Sequence, residues 1–236
     1  MTETATGLRH ELHRHPELSG RESTTAQRVT GFFRNLQPDR MLQGLGGEGL
    51  AFVFACQAPG PRVLLRCDMD ALPIQESEPL PHRSRRPGVS HKCGHDGHMA
   101  IMAAVGEALA RRRPARGEVV LLYQPAEETG QGARAVLDDP RFESVNPDLC
   151  FALHNIPGYP LGQVLVRDGA FSCASRGMAI KLSGKTAHAA QPETGRSPAA
   201  AMCRIIEQLS NLPPELLPPH ELAFATVVGS RLGEKA

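Results

Sequence analysis

The chain of 236 residues is long enough for one large domain, or for one domain and part of another. Lysine and arginine (26) nearly balance aspartate and glutamate (25), so the charge gives no reason to expect nucleic acid or an anionic membrane as a partner. Apolar residues make up 41% of the chain, which is enough for a core, but no apolar run is long enough to span a bilayer.

The cysteines and the N-terminus together predict a cytoplasmic protein. The first residues lack the basic and apolar regions of a secretory signal. The 6 cysteines are widely scattered, and several lie inside apolar, strand-like runs. Such thiols are typical of reduced, buried cysteines, and only Cys93 stands apart because its neighbours are polar.

The first two thirds of the chain predict helices and buried strands. Residues 8–15 predict a short helix that Pro16 ends, and Ser19 and Glu22 have the spacing of a capping box for a second helix. Residues 99–110 predict a packed helix, with Ile101 on its apolar stripe. Nearly continuous apolar runs at 50–56, 63–65, 119–123 and 149–153 predict strands buried on both faces. The expected fold is α/β, with a central, mainly parallel sheet between helices.

Near residue 175 the pattern changes to one-sided elements. Residues 177–184 alternate apolar and polar side chains, which predicts a strand with one exposed face. Ser197 and Pro198 predict the start of a helix, and residues 224–228 predict another strand. We therefore expect a first domain over residues 1–174 and the start of a smaller α+β domain over residues 175–236.

Residues 91–98 concentrate groups that bind metals or move protons, just before the predicted helix. Asp96 is a plausible cap for that helix, which would place Cys93 and His95 in the loop at its N-terminus. The positive end of the helix dipole would there favour a thiolate, the form of cysteine that binds metal. A Cys-x-His pair alone is a weak signal, and a polar turn before a helix is the alternative.

Other metal-binding side chains follow three of the predicted strands. Asp68 and Asp70 follow the first, Glu127 and Glu128 the second, and His154 the third. In open α/β sheets, ligands collect beyond the carboxyl ends of the strands. Adjacent glutamates in an extended segment point in opposite directions, so one could bind metal while the other reaches a bound water. A mixed thiolate, imidazole and carboxylate set favours zinc or manganese over calcium or magnesium.

Four motifs, taken together and in order, resemble the M20 family of metallopeptidases and amidohydrolases. The nearest branch holds hippurate hydrolases, N-acyl amino acid amidohydrolases and indoleacetyl-amino acid hydrolases. The resemblance runs from about Leu8 to the end of the chain, and residues 13–18 also resemble that branch. The motifs are Asp68-Met69-Asp70-Ala71-Leu72-Pro73, Cys93-Gly94-His95-Asp96, Pro125-Ala126-Glu127-Glu128 and Ala187-His188-Ala189-Ala190-Gln191-Pro192.

The resemblance implies a site residue by residue. Cys93, His95, Glu128 and His154 would bind two divalent metal ions, zinc or manganese. Glu127 would be the general base that takes a proton from metal-bound water and later delivers it to the leaving amine. The implied reaction is hydrolysis of the amide bond of an N-acyl amino acid or a related small peptide-like amide.

The resemblance also assigns roles outside the ligand set. Asp70 corresponds to the catalytic aspartate of the family, which steadies a ligand. His188 would lie in a lid and dimerisation domain and help to hold the substrate carbonyl or carboxylate. The expected partners are a small N-acyl amino acid substrate and a second copy of the chain, with no nucleic acid and no membrane.

One departure from the family matters. Members of the family run well beyond this length, and the missing part brings a further histidine ligand. His220 is the only histidine after His188, and its setting after Pro218 and Pro219 does not match that ligand. The chain is therefore expected to be a fragment or a truncated product. The alternative function is a catalytically incomplete chain with a partial metal site, whereas a closed structural zinc site would leave the glutamate pair without a purpose.

Several polar residues near these motifs have a structural explanation instead. Asp68 is expected to orient ligands and not to bind metal itself. His98 is expected to pack or cap the helix, and His13 and His15 to lie on the surface or pack beside Pro16. Cys67 is expected to be a buried packing residue.

Overall fold

The computed structural model describes residues 3–172, 174–216 and 224–233, with the backbone alone for residues 213–216. The chain divides into two compact units, Met1–Gln163 and Val164–Ala236. Cys173 and His220 lie outside the described residues. Among the described residues, no helix combines the length and the apolar character needed to cross a membrane.

A five-stranded sheet forms the centre of the first unit, in the order β1-β2-β4-β3-β5. Strands β4, β3 and β5 are parallel, and β1 and β2 extend the sheet as antiparallel strands. The predicted α/β class is confirmed, and the sheet is mixed because the hairpin of β1 and β2 adds to the edge of β4. The strands are β1 (Arg40–Leu45), β2 (Gly49–Ala55), β3 (Arg62–Asp68), β4 (Glu118–Gln124) and β5 (Leu149–Ala152).

Helical layers cover both faces of this sheet. On one face, helices α1, α2 and α3 enclose a core in which the rings of Phe33 and Phe52 stack with centroids 3.9 Å apart. On the other face, Val136 and Val145 pack on residues of β1, β2, β3 and β4. The helices of the unit are α1 (Glu3–Arg14), α2 (Ser23–Arg34), α3 (His95–Arg111) and the short α4 (Gly132–Asp138).

Helix α3 differs from its prediction at its start and in its buried face. It begins at His95, so His95 lies in the helix, while Cys93 is in the preceding loop as expected. Gly94 caps the helix with φ of +91°, and Asp96 is in the first turn instead of capping it. The buried stripe runs through Met99, Met102 and Ala103, whereas Ile101 is 42% exposed, because the sheet and α1 contact a neighbouring face of the helix.

The predicted capping box before α2 is wrong. Helix α2 begins at Ser23, and its N-cap residue Glu22 makes no side-chain capping bond. The Thr25 N–H in the first turn donates to Glu17 instead. The Ser19 hydroxyl donates to Asp70, and the Glu22 carboxylate accepts from the backbone of Ala126. Both side chains therefore bond to residues distant in the sequence instead of capping the helix.

Strand β5 is exposed along its whole length, so its predicted burial is wrong. Leu149 and Phe151 are 52% and 56% exposed, because no described element packs on this edge strand. The five described cysteines are free thiols. Cys67 is buried as predicted, whereas Cys150 on β5 is exposed.

The second unit contains the predicted helix but neither predicted strand. Helix α5 (Ala199–Leu216) follows Ser197 and Pro198 as expected. Residues 177–184 and 224–228 form no strand, because a strand requires a hydrogen-bonded neighbour and the described residues of this unit supply none to them. An isolated bridge joins Lys185 to Arg196.

Candidate metal centre

The carboxyl ends of three adjacent parallel strands position the site. Strands β4, β3 and β5 are neighbours, so the segments that follow them leave the sheet at the same edge. Those segments carry Glu127 and Glu128, Asp70, and His154. The N-terminus of α3 brings His95 to the same place, so the predicted convergence of separate segments is what the structure shows.

Two groups of possible ligands meet at His95. One consists of Cys93, His95 and His154, with Cys93 Sγ 3.4 Å from His154 Nε2. The other consists of His95, Glu127 and Glu128, with His95 Nε2 3.9 Å and 3.7 Å from the two carboxylates. In each group the ligand atoms lie within 4.8 Å of one another. The five predicted residues thus surround one small volume.

His95 is the strongest sign that this volume fits a cation. Its side chain is fully buried, and neither ring nitrogen has a hydrogen-bond partner among the described residues. The nearest carboxylate oxygens belong to Asp70, 3.4 Å from Nδ1, and to Asp68, 3.7 Å from Nε2. A buried nitrogen without a partner is costly, and a bound divalent cation would relieve that cost. Thiol, imidazole and carboxylate donors suit zinc or manganese.

Asp70 is held in its ionised form by several donors. Its Oδ2 accepts from Ser19 Oγ at 2.6 Å and from the backbone N–H of Glu128 at 3.0 Å. Burial would raise the pKa of this carboxyl, but the neighbouring His95 imidazole and the hydrogen bonds from Ser19 and the backbone outweigh it and lower the pKa to about 2. Asp70 is therefore a fixed negative charge beside His95.

Asp68 and His98 form a buried network next to the site. His98 Nδ1 lies 2.7 Å from Asp68 Oδ1, and His98 Nε2 lies 2.6 Å from Asn155 Oδ1. Arg66 donates to the second oxygen of Asp68 at 2.8 Å. Both residues are buried and hydrogen-bonded, which agrees with their expected structural roles, although Asp68, His95 and His98 also lie close enough together to form a third possible ligand group.

The Cys93 thiol does not behave as its helix position predicted. Burial, followed by the negative charge of Glu128, raises the pKa of Cys93 to about 12. Burial and the surrounding carboxylates favour the neutral thiol over the thiolate that the helix dipole predicted. A thiolate at this position therefore requires the charge of a bound cation, which deprotonates a coordinating thiol.

Glu22 and Asn155 reach the site without any signal in the sequence. Glu22 is fully buried and accepts from the Ala126 N–H, one residue before Glu127. Asn155 follows His154 and contacts His98. Both contacts join residues far apart in the chain, and no local spacing encodes them.

His188 lies in the second unit. Its side chain is exposed, and its Nδ1 accepts from the Ala190 N–H at 3.1 Å. The other five predicted residues belong to the first unit. Its role with a substrate stays a prediction.

The geometry is that of a centre for divalent cations at the carboxyl ends of the strands of an α/β sheet. Metal-dependent hydrolases use centres of this kind. Comparison with known proteins gives the family. Residues 64–230, more than half of the chain, match the model for peptidase family M20/M25/M40. The chain belongs to this family, which confirms the resemblance seen in its motifs.

Individual relatives agree with this assignment. The chain is 34% identical over 225 residues to N-acetyl-L-cysteine deacetylase of Bacillus subtilis (strain 168), covering 94% of the chain and 53% of the relative. It is 31% identical over 220 residues to hippurate hydrolase of Campylobacter jejuni, covering 93% and 57%. The crystal structure of the Bacillus subtilis YXEP protein, a dinuclear metal binding peptidase from the M20 family, matches with a TM-score of 0.63 and 35% identity. That match covers 67% of this chain and 44% of the YXEP chain. The chain thus spans little more than half the length of the curated relatives.

Proposed function

We propose that the protein is a metal-dependent hydrolase that cleaves the amide bond of N-acyl amino acids. The observation that carries the proposal is the buried, unpartnered imidazole of His95 between a thiol, a second imidazole and two glutamates. The names of the relatives, a deacetylase and a hippurate hydrolase, point to an acyl group on an amino acid as the substrate class.

In this proposal the ligands are Cys93, His95, Glu128 and His154, which would hold two zinc or manganese ions. Such ions, when bound, supply Lewis acidity that lowers the pKa of water and polarises an amide carbonyl. The side chain of Glu128 is 23% exposed and lies within the ligand group, which suits a ligand.

Glu127 is the proposed general base. Its side chain is 40% exposed, so it can reach a water and a substrate from the open side of the site. It accepts the proton of the attacking water and passes it to the nitrogen of the leaving amine. Asp70, ionised and fixed by Ser19 and the backbone N–H of Glu128, orients His95.

We further propose that residues 1–174 form the catalytic domain and that residues 175–236 belong to a lid. His188 would bind the carbonyl or carboxylate of the substrate from that lid, and the lid would join two copies of the chain. The free thiols of the described cysteines support a reducing compartment, the cytoplasm.

Metal analysis combined with a hydrolysis assay tests the proposal. The metal-free protein is loaded with zinc or with manganese, and the bound ions per chain are counted. A panel of N-acetyl and N-benzoyl amino acids is then assayed for release of the free amino acid. We expect bound metal and turnover of at least one member of the panel. Less than one tightly held ion per chain, together with no turnover, would identify a catalytically incomplete chain instead.

A further inference from the structure

The two glutamates of the site stand on a turn with unusual backbone geometry. Ala126, which directly precedes Glu127, has φ of +49° and is one of two described non-glycine residues at positive φ. This left-handed conformation is unfavourable for a residue with a Cβ, so surrounding contacts must maintain it. The direction of the Glu127 and Glu128 side chains depends on the peptide planes of this turn.

The contact that holds Ala126 comes from Glu22. The Glu22 carboxylate is fully buried, and its Oε1 accepts the Ala126 N–H at 2.7 Å across 104 positions of sequence. Its Oε2 has no hydrogen-bond partner among the described residues. Burying a carboxylate costs free energy that one backbone hydrogen bond does not offset. This cost indicates that the position of the Ala126 N–H matters.

A second carboxylate holds the other side of the turn. Asp70 Oδ2 accepts the N–H of Glu128 at 3.0 Å. Glu22 and Asp70 therefore each accept a backbone N–H hydrogen bond, one from the residue before Glu127 and one from the residue after it. Ser19, on the same segment as Glu22, donates a hydrogen bond to Asp70 at 2.6 Å. This bond connects the segment of Glu22 to the second carboxylate.

We propose that Glu22 is a positioning residue, which holds Ala126 in the left-handed conformation and thereby aims Glu127 and Glu128 into the metal centre. Among the described hydrogen bonds and ion pairs, none joins the Glu22 side chain to the donor atoms of the ligand group or to Glu127. The inference rests on the proposed function for its catalytic meaning, but the positioning can be measured without any turnover.

The reach of the Glu22 side chain and its charge can be separated by two substitutions. Glu22→Gln keeps the length and an acceptor oxygen but loses the charge. Glu22→Asp keeps the charge but is one methylene too short for the 2.7 Å hydrogen bond. Glu17→Gln is the matched control, because Glu17 is a buried carboxylate of the same segment that bonds to Thr25.

Amide hydrogen exchange and zinc titration of the full chain provide the test. In Glu22→Asp we expect exchange of the Ala126 amide to become about tenfold faster or more, and zinc affinity to fall by about tenfold, as for one lost buried hydrogen bond. In Glu22→Gln and Glu17→Gln both quantities should stay within about threefold of the wild type. Adding Ala126→Gly to Glu22→Asp should restore part of the zinc affinity, because glycine adopts positive φ without strain.

Hydrolysis of N-acyl amino acids adds a separate readout. In Glu22→Asp, kcat should fall by about tenfold or more with little change in KM, because the Glu127 carboxylate is displaced from its catalytic position while substrate binding is intact. If the wild type hydrolyses no N-acyl amino acid, the proposed function fails, and exchange and zinc affinity still decide the positioning. Wild-type exchange and affinity in Glu22→Asp would overturn the inference. A loss in Glu22→Gln with wild-type values in Glu22→Asp would also overturn it, because the charge of Glu22 and not its reach would then be what matters.

Discussion

Two adjacent side chains of the same type, Glu127 and Glu128, have different surroundings in the site. The side chain of Glu128 is the less exposed of the two, its backbone N–H donates to Asp70, and burial raises the pKa of its carboxyl. Glu127 is more exposed and lies at the edge of the ligand group. This difference favours Glu128 as a ligand and Glu127 as a base over two equivalent ligands.

Replacing Glu127 by glutamine should therefore separate chemistry from metal binding. Glu127→Gln removes only the proton acceptor, so we expect kcat to fall by roughly 10²–10⁴-fold with unchanged metal content. Steady-state kinetics and metal analysis of the same preparation measure both quantities. Glu128→Gln is the matched variant and should lose metal. If Glu127→Gln lost the metal instead, the roles of the two glutamates would be exchanged.

Cys93 offers a second prediction for one side chain. Its Sγ lies 3.4 Å from His154 Nε2, so Cys93→Ala should remove one donor and lower zinc occupancy. Cys150→Ala is a suitable control, because Cys150 is an exposed thiol of the same unit outside the ligand groups. Occupancy measured after dialysis against a weak chelator distinguishes the two variants. Equal occupancy in both would assign Cys93 to packing.

At this scale the sequence predicts the donors better than the residues that support them. Asp70, Glu127, Glu128 and His154 could be predicted because each follows a recognisable buried strand, and strand ends share an edge of the sheet. Glu22 could not, because its partner Ala126 is 104 positions away, and its spacing to Ser19 imitates a helix cap. Local rules have no information about contacts of that length.

Elements were predictable where their pattern was strong and their neighbours were present. Strands β2, β3 and β4 and helices α2 and α5 agree with the apolar runs that predicted them. Strand β1 was missed because its residues are largely exposed and include Gly44, so that pairing with β2 defines it and not its own burial. The expected strand over residues 177–184 has the right alternation but lacks a partner among the described residues.

His13, a buried residue of α1, contacts the start of α3. It was expected at the surface or packed beside Pro16. His13 Nδ1 lies 3.0 Å from Asp96, and its Nε2 lies 2.9 Å from Glu76. The hydrogen bond to Asp96 raises the pKa of His13 above its ordinary value of 6.5, against the opposing effect of burial and with the help of Glu76. The imidazolium form thus joins the two carboxylates.

The pH dependence of this link follows from the raised pKa of His13. Its stabilising effect is complete below pH 6.5 and is lost as the pH rises through the raised value, because the folded state then gives up the proton. His13→Gln should lower the free energy of unfolding by about 2 kcal/mol at pH 6 and by less at pH 9. Arg9 lies beside Asp96 and Lys92 beside Glu76, so each of the two carboxylates has a second cationic neighbour.

Chemical denaturation of wild type and variant at the two pH values measures the difference. His15→Gln serves as the control, because His15 directly follows the end of α1 but its nearest carboxylate, Glu11, is 3.8 Å away and half exposed. The same loss at pH 6 and pH 9 in His13→Gln would mean that the link depends on packing and not on the charge of the imidazolium.

At the scale of the whole first unit, the candidate metal centre contains three buried polar atoms that have no hydrogen-bond partner among the described residues: both ring nitrogens of His95 and Oδ1 of Asp70. The side chains around His95 come from α3 and from the segments after β3 and β4, so a cation there would join elements that are distant in sequence. Several carboxylates face one another at this point, and their mutual repulsion opposes folding without a positive charge between them. Metal binding and the stability of the first unit should therefore be coupled.

That coupling can be measured by thermal unfolding of the metal-free chain with and without zinc. Zinc at about 100 times its Kd should add about 2.7 kcal/mol to the stability of the folded state. For a unit of this size the Tm should rise by roughly 5–10 °C, and excess chelator should reverse the rise. Magnesium should give little shift, because it prefers oxygen ligands in an octahedral arrangement. The double variant Cys93→Ala/His154→Ala should lose most of the zinc effect, because it removes two of the three donors of one ligand group. An undiminished shift in that variant would place the stabilising ion elsewhere, and the stacked rings of His10 and His82, 4.0 Å apart, would be the first place to look.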